Sequence, residues 1–447
     1  MQQHVDTEKV VQNLKASWKE SGLKNKLLFT FAIIALFRFG AQLPIFGINN
    51  TAFMQMAGGN NLIGFLDMFS GGALGKVSIF ALGIGPYITS SIIMQLMAVI
   101  IPSLEKAQKE DGEAGRRKIQ QYTRIGAVFL ALFQSIIFAI ALYKLPGSIY
   151  PGVDPVMFFI GSAVSLTAGA IIVMWLGELI TEKGVGNGAS LLIFVGILTG
   201  IPKYCNSTYE LVHNAPSLQL NLVVLIAIFL ATMVFIIILH DAARKVPIVS
   251  ARRQVGNKIY GGQNTNIPFK LNPSGVMPII FAIAILLFPA TVISVVHQMK
   301  IDNVIIATIF DKLNLLFSTG SPYYYTIYFV LIVALTFFYA SIIPSMQPKE
   351  IANNLKKYGS AIPGVRPGKP TADKLNEILT RITLIGALAL GVIALIPTFA
   401  SEITEIKTFQ GIGATSLIIL VGVALDFINQ IKTHLLAKNY ESFLQQR

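Results

Sequence analysis

The sequence predicts an all-α polytopic membrane protein: ten transmembrane helices arranged as two pseudo-symmetric, inverted five-helix halves. Three observations predict it. Of 447 residues, 53% are hydrophobic and only 13% charged, roughly half the charged share of a soluble domain. Apolar runs of about 20 residues, long enough for a helix to cross about 30 Å of hydrocarbon, recur along most of the chain. The basic residues fall on alternate connections between those runs.

The elements follow in order. Residues 1–26 carry lysines between Val10, Leu14 and Trp18, which are four apart. That spacing fits an amphipathic cytoplasmic segment lying on the membrane surface, and it equally fits a solvated tail. No apolar stretch with a cleavage site follows, so no cleavable signal peptide is expected. Ten spans then read at 27–45, 78–101, 122–143, 156–177, 188–202, 219–239, 275–296, 322–343, 380–398 and 411–431. The first half occupies 27–205 and the second 206–431, with a tail at 432–447. Between the first two spans lies LIGFLDMFSGGALGK (62–76), apolar yet too short to cross a bilayer and broken by Ser70-Gly71-Gly72.

With the N-terminus inside, 28 of the 35 Lys and Arg residues fall on the inner side. Only Lys76, Lys144, Lys203, Lys300, Lys312 and Lys407 fall outside, and Arg38 lies within the first span. Both termini are therefore expected in the cytoplasm, and the net charge of +13 follows from topology rather than from a nucleic-acid partner. Two odd-numbered halves joined head to tail insert in opposite orientations, the arithmetic of an inverted repeat with a pathway at its centre.

Two inner loops, 240–274 and 344–381, are longer than topology requires and alternate apolar residues with Pro and Gly, which favours ordered hairpins outside the bilayer. In IPGVRPG, Arg366 is framed by proline and glycine turns. It suits a docking point for an acidic or RNA-bearing partner as well as it suits a lipid headgroup.

The candidate chemistry is narrow. Cys205 is the only cysteine, and the five histidines are scattered, so neither a disulfide nor a metal site is expected. No phosphate-cradling glycine loop or nucleophile–base set is present. The chain therefore reads as neither an enzyme nor a cofactor binder. Arg38, Arg124, Glu178 and Asp426 are the only ionisable candidates near the spans, and all but Arg38 sit at inner ends, where helix-terminal pairing explains them. A secondary transporter would need a polar midplane site; a scaffold without a pore is the other alternative.

Six motifs in register carry a family resemblance: MFSGGALGKVSIFALGIGPYITSSIIMQL (68–96), EDGEAGRRKIQQYTR (110–124), MWLGELITEKGVGNGASLLIF (174–194), ARRQVGNKIYGGQNTNIPFKLNPSGVMPIIFA (251–282), NNLKKYGSAIPGVRPGKPT (353–371) and GATSLIILVGVALDF (413–427). Together they resemble the SecY family, the central subunits of bacterial protein-conducting channels. The resemblance implies an hourglass pore between the halves, with a lateral gate formed by the second and third spans against the seventh and eighth. Such a channel passes unfolded secretory polypeptides across the cytoplasmic inner membrane and releases transmembrane segments sideways into it.

The resemblance also implies roles residue by residue. A mid-membrane ring falls on Ile84, Ile88, Ala189, Ile193, Ile280 and Ile419. Ala189 is smaller than the aliphatic residue usual there, and GATS stands where GGTS is usual. A re-entrant plug helix spans 62–76, with Leu62, Ile63, Phe65, Leu66, Asp67, Met68, Phe69 and Ser70 leading to a Gly71-Gly72 hinge. Arg252, Arg253, Lys258 and Arg366 would dock partners. Those partners are the SecA motor ATPase and ribosomal RNA, beside the subunits SecE and SecG, anionic lipids, and the secretory and membrane proteins that pass through.

Overall fold

The computed structural model describes residues 22–50, 53, 67, 70–109, 112–144, 147–250, 253–255, 258–260, 264–298, 312–313, 316–317, 321–342, 347–404, 406 and 414–445. The expected amphipathic segment with Val10, Leu14 and Trp18 lies outside them. Each of the ten predicted spans carries a helix: α1 Leu23–Gly40, α2 Gly85–Ile100, α4 Gly112–Lys144, α5 Pro155–Lys183, α6 Gly188–Asn214, α7 Gln219–Asp241, α8 Met277–Gln298, α9 Pro322–Ile342, α11 Lys369–Ile403 and α12 Ala414–Gln445. Shorter helices α3 (Pro102–Lys109) and α10 (Pro348–Lys357) lie between them. Seven of the described helices are long and apolar enough to cross a membrane, while Gly85–Ile100 and Met277–Leu286 are apolar but shorter. The chain is a multi-pass membrane protein.

Burial confirms the solvent these helices need. In Gln219–Asp241, the most apolar of the seven, only 22% of the apolar window is buried. Val223, Leu230 and Ile238 stand on its open surface. In water such a face would be a liability; against acyl chains it is the stable arrangement. The shared core lies between the helices, where Phe37, Leu176, Leu192, Ile279, Ile332, Leu390 and Ile419 pack in one cluster.

Small residues let backbones meet where two helices turn back on each other. At the α5–α6 corner, a Cβ on Gly188 would lie 1.9 Å from the Gly177 carbonyl oxygen. Thr181 locks that approach: its hydroxyl donates to the Gly177 carbonyl at 2.9 Å and accepts from the Gly188 N–H at 2.9 Å. The Asn187 side chain caps α6 by accepting from the Ser190 N–H. From α1, the Thr30 hydroxyl accepts from the Val185 N–H at 3.1 Å, tying the first span to the same corner. Gly188→Ala should therefore destabilise the folded protein by about 1–3 kcal/mol, since the added methyl must push two backbones apart. Thermal unfolding in detergent would read this as a lowered midpoint; an unchanged midpoint would refute the close approach.

Several helices overrun the expected spans. α11 has 35 residues, about 52 Å at 1.5 Å per residue, so its first turns stand clear of the hydrocarbon. α6 continues through Pro202 to Asn214, so the helix is unbroken across the expected division between halves at 205/206. The second expected span begins with turns rather than helix: Val77 and Gly83 have positive φ, and helix starts only at Gly85.

Among the described residues, the long inner loops depart from the all-α description with a three-stranded sheet and a separate two-stranded one. Loop 240–274 is a hairpin as expected, with β1 (Ala243–Ser250) antiparallel to β4 (Asn264–Lys270) and a second small pair, β2 (Arg253–Val255) with β3 (Lys258–Tyr260), between them. Loop 344–381 is not a hairpin. Pro348 starts α10, and Ile351, Ala352 and Leu355 follow a helical rather than a strand period. The chain then gives a two-residue strand, β5 (Ser360–Ala361), which pairs Val249 with Ala361 and Ser250 with Ser360 at the edge of β1. Val246 and Phe269 of the sheet bury against Ala352, Ile362, Leu375 and Leu379, so both loops share one core seated on the projecting end of α11.

Candidate functional site

The expected ring residues come from four helices. Ile84 is the residue just before α2, and Ile88 follows one turn later, its N–H donating to the Ile84 carbonyl. Ala189 and Ile193 are one turn apart at the start of α6. Ile280 lies in the first turn of α8, and Ile419 in the second turn of α12. Ile84, Ile193, Ile280 and Ile419 are all buried within a single cluster, with Ile88 and Ala189 packed against it. These four isoleucines, from distant parts of the chain, thus belong to the large core that the spanning helices share.

A cavity of about 950 Å³ has Ile88, Ala189, Ile193 and Ile280 in its lining. The same lining also carries polar groups, among them Arg116, Arg117 and Gln120 from the first turns of α4. Arg124 pairs with Glu178 of α5 through two contacts of 2.9 Å, which bridges the neighbouring helices. Gln120 donates to the same carboxylate at 3.2 Å. Asp426, another of the expected end-of-span charges, lies 3.2 Å from His240 at the end of α7. α2 and α4 both pack against α8, and α8 against α9, which puts the expected gate helices side by side. Phe281 and Tyr339 meet edge to face across the α8–α9 contact.

Of the expected plug, Asp67, Ser70, Gly71 and Gly72 are described; Leu62, Ile63, Phe65, Leu66, Met68 and Phe69 lie outside the described residues. Gly71 and Gly72 both adopt left-handed backbone, with φ of 73° and 79°. The Gly75 N–H donates to Asp67 Oδ1, the Gly72 N–H to the Asp67 carbonyl at 2.7 Å, and the Ser70 hydroxyl to that carbonyl at 2.9 Å. The Arg38 guanidinium donates to the Gly71 carbonyl, and Lys76 donates to Gln42. The partnership between the first span and the 67–76 segment is not visible in the sequence; its only trace is an arginine in an apolar run.

The expected docking residues are placed unevenly. Arg366 is exposed in a turn framed by Gly364 and Gly368, both with positive φ, and its carbonyl accepts from the Thr371 hydroxyl at 2.8 Å. Arg253 and Lys258 are placed by backbone on β2 and β3, and Arg252 lies outside the described residues. Among the described residues no group of acidic, histidine or cysteine side chains could hold a metal ion.

The SecY family profile matches residues 78–428, more than three-quarters of the chain. The protein translocase subunit SecY of Synechococcus elongatus is 44% identical over 431 residues, covering 95% of both chains. The chain belongs to the SecY family. The SecY subunits of Thermotoga maritima (39% identical, 97% of this chain and 98% of the other) and Vibrio cholerae (40%, 95% of both) agree with that. The family consists of protein translocase channel subunits, not enzymes. In fold, the chain resembles a solved protein-conducting channel with TM-score 0.65, 18% identity and 92% of each chain covered. It also resembles canine Sec61 in a ribosome–channel complex from the endoplasmic reticulum (TM-score 0.60, 16%, 92% of each). A third likeness is to a SecY channel whose plug domain stabilises the closed state and maintains a membrane seal (TM-score 0.64, 19%, 92% of each).

Proposed function

We propose that the chain is the passive pore through which unfolded secretory polypeptides cross the bacterial inner membrane, and from which transmembrane segments leave sideways into lipid. The observation that supports the reading is that Ile88, Ala189, Ile193 and Ile280, drawn from three helices, line one cavity of about 950 Å³, while Ile84 and Ile419 lie in the same buried core. A polypeptide presents every kind of side chain, so a filter of charges or hydrogen-bond donors would hold some residues too tightly. Branched aliphatic groups yield to any of them and, once empty, exclude water and ions by dewetting. The small Ala189 leaves this constriction less filled than an isoleucine would, which gives the segment around 62–76 a sealing task. The contact of α2 and α4 with α8 is the seam at which the lateral gate would part.

Energy comes from outside the chain, from the SecA motor or a translating ribosome. Both would dock on the joined cytoplasmic loops, where Arg366 projects and where Arg252, Arg253 and Lys258 offer positive charge to ribosomal phosphates without reading sequence. SecE and SecG complete the complex, anionic lipids meet the inner-side arginines and lysines, and both termini face the cytoplasm. Deleting residues 62–72 and recording the channel in a planar bilayer tests the reading. The deletion should leave a folded channel with a raised resting ion leak; unchanged conductance would contradict a seal at this place.

A further inference from the structure

We infer that Arg38 is the positioning residue that latches residues 70–76 in their resting place, its guanidinium holding the Gly71 carbonyl; this rests on the plug reading above. A guanidinium inside an apolar span is expensive unless its donors find acceptors. Arg38 finds one 33 residues further along the chain, on a segment that belongs to no spanning helix. One turn on from Arg38, Gln42 accepts from Lys76. The same end of the first span therefore grips the segment at two points, 71 and 76.

Gly71 is built for this contact. Its left-handed φ of 73° turns the carbonyl toward Arg38 instead of into a local helical turn. A Cβ at this residue would lie 3.2 Å from Gly196 Cα in α6 and 3.6 Å from the Phe37 ring. The residue thus fills a slot between the first and fifth spans. Around it the segment is tied to itself: Asp67 receives bonds from Ser70, Gly72 and Gly75, and the Leu74 N–H donates to the Ser70 hydroxyl at 2.9 Å. Asp67 and residues 70–75 are therefore cross-braced, with Arg38 as a fastening from outside. Such a fastening is released by its own cargo. Every residue of a threading polypeptide presents a carbonyl, the same kind of acceptor as Gly71, so Arg38 exchanges one partner for another as the segment leaves.

The test is resting ion conductance of the assembled translocase complex in planar bilayers. It compares wild type, Arg38→Ala, Arg38→Lys, the 62–72 deletion, and the deletion combined with Arg38→Ala. Arg38→Ala should raise the leak about tenfold or more, the loss of one charge-assisted hydrogen bond. Arg38→Lys, which keeps a charged donor, should bring it back toward wild type. In the deletion background Arg38→Ala should add nothing, because the acceptor is gone. A tight Arg38→Ala channel beside a leaky deletion would overturn the latch and leave the plug standing. If neither leaks, both readings fall. Leaks that add in the combined variant would show that Arg38 acts on some other part of the protein, which also overturns the latch.

Discussion

Arg366→Glu should reduce motor-driven export of a secretory precursor by about 100-fold or more while the protein still accumulates in the membrane. The side chain is exposed at a turn whose shape is set by other groups: Gly364 and Gly368 in left-handed backbone, and the Thr371 hydroxyl on the Arg366 carbonyl. The core beneath it, from Val246 to Leu379, does not use the guanidinium. Folding is therefore spared and docking is not. Truncating one member of a docked charge pair costs about 2–5 kcal/mol, and reversing its sign adds repulsion, so a loss near 3 kcal/mol, or about 100-fold, is the modest end of the expectation. Arg366→Lys should fall between, because lysine keeps the charge and loses the fork. Translocation into membrane vesicles measures the effect, and normal export by the glutamate variant would refute the docking role.

The second large effect belongs to the constriction. Replacing Ile193 and Ile280 together by serine should raise resting ion conductance by roughly tenfold or more, a barrier lowered by about 1.4 kcal/mol. Hydroxyls give water a foothold where branched carbons had none, and a wetted constriction passes ions. Ile193→Val with Ile280→Val, which keeps the constriction apolar, should stay near wild type. Conductance that is the same in the serine and valine pairs would show that these side chains line no ion path.

Much of the architecture was legible because hydropathy reports the bilayer directly: each of the ten expected apolar stretches carries a helix. The helix ends were not legible, and for the same reason. Outside the hydrocarbon a helix continues for other causes, such as Pro370 in the first turn of α11 and the apolar spacing of Leu375 and Leu379 against the loop core. Residues 78–84 misled in the opposite sense, since an apolar composition says nothing of the left-handed backbone at Val77 and Gly83 that delays helix α2. The pairing of Ser250 with Ser360 joins loops over a hundred residues apart, and neither loop alone signals it. At the candidate site, the ring positions came from motif resemblance, and four of them, Ile88, Ala189, Ile193 and Ile280, line one cavity, whereas the Arg38–Gly71 bond needed coordinates because a backbone carbonyl leaves no mark in a sequence.

The central claim is that polypeptide passes between the aliphatic groups at 84, 193, 280 and 419, and photo-crosslinking of a stalled secretory chain tests it most directly. A crosslinker placed in turn at these four positions should capture the stalled chain. The same probe at Ile160, Val223 and Leu230, whose side chains are 59%, 64% and 58% exposed on the outer apolar surface, should capture lipid instead. Adducts absent from the four isoleucine positions, or no more frequent there than at the outer three, would contradict a conduit through the centre of the molecule.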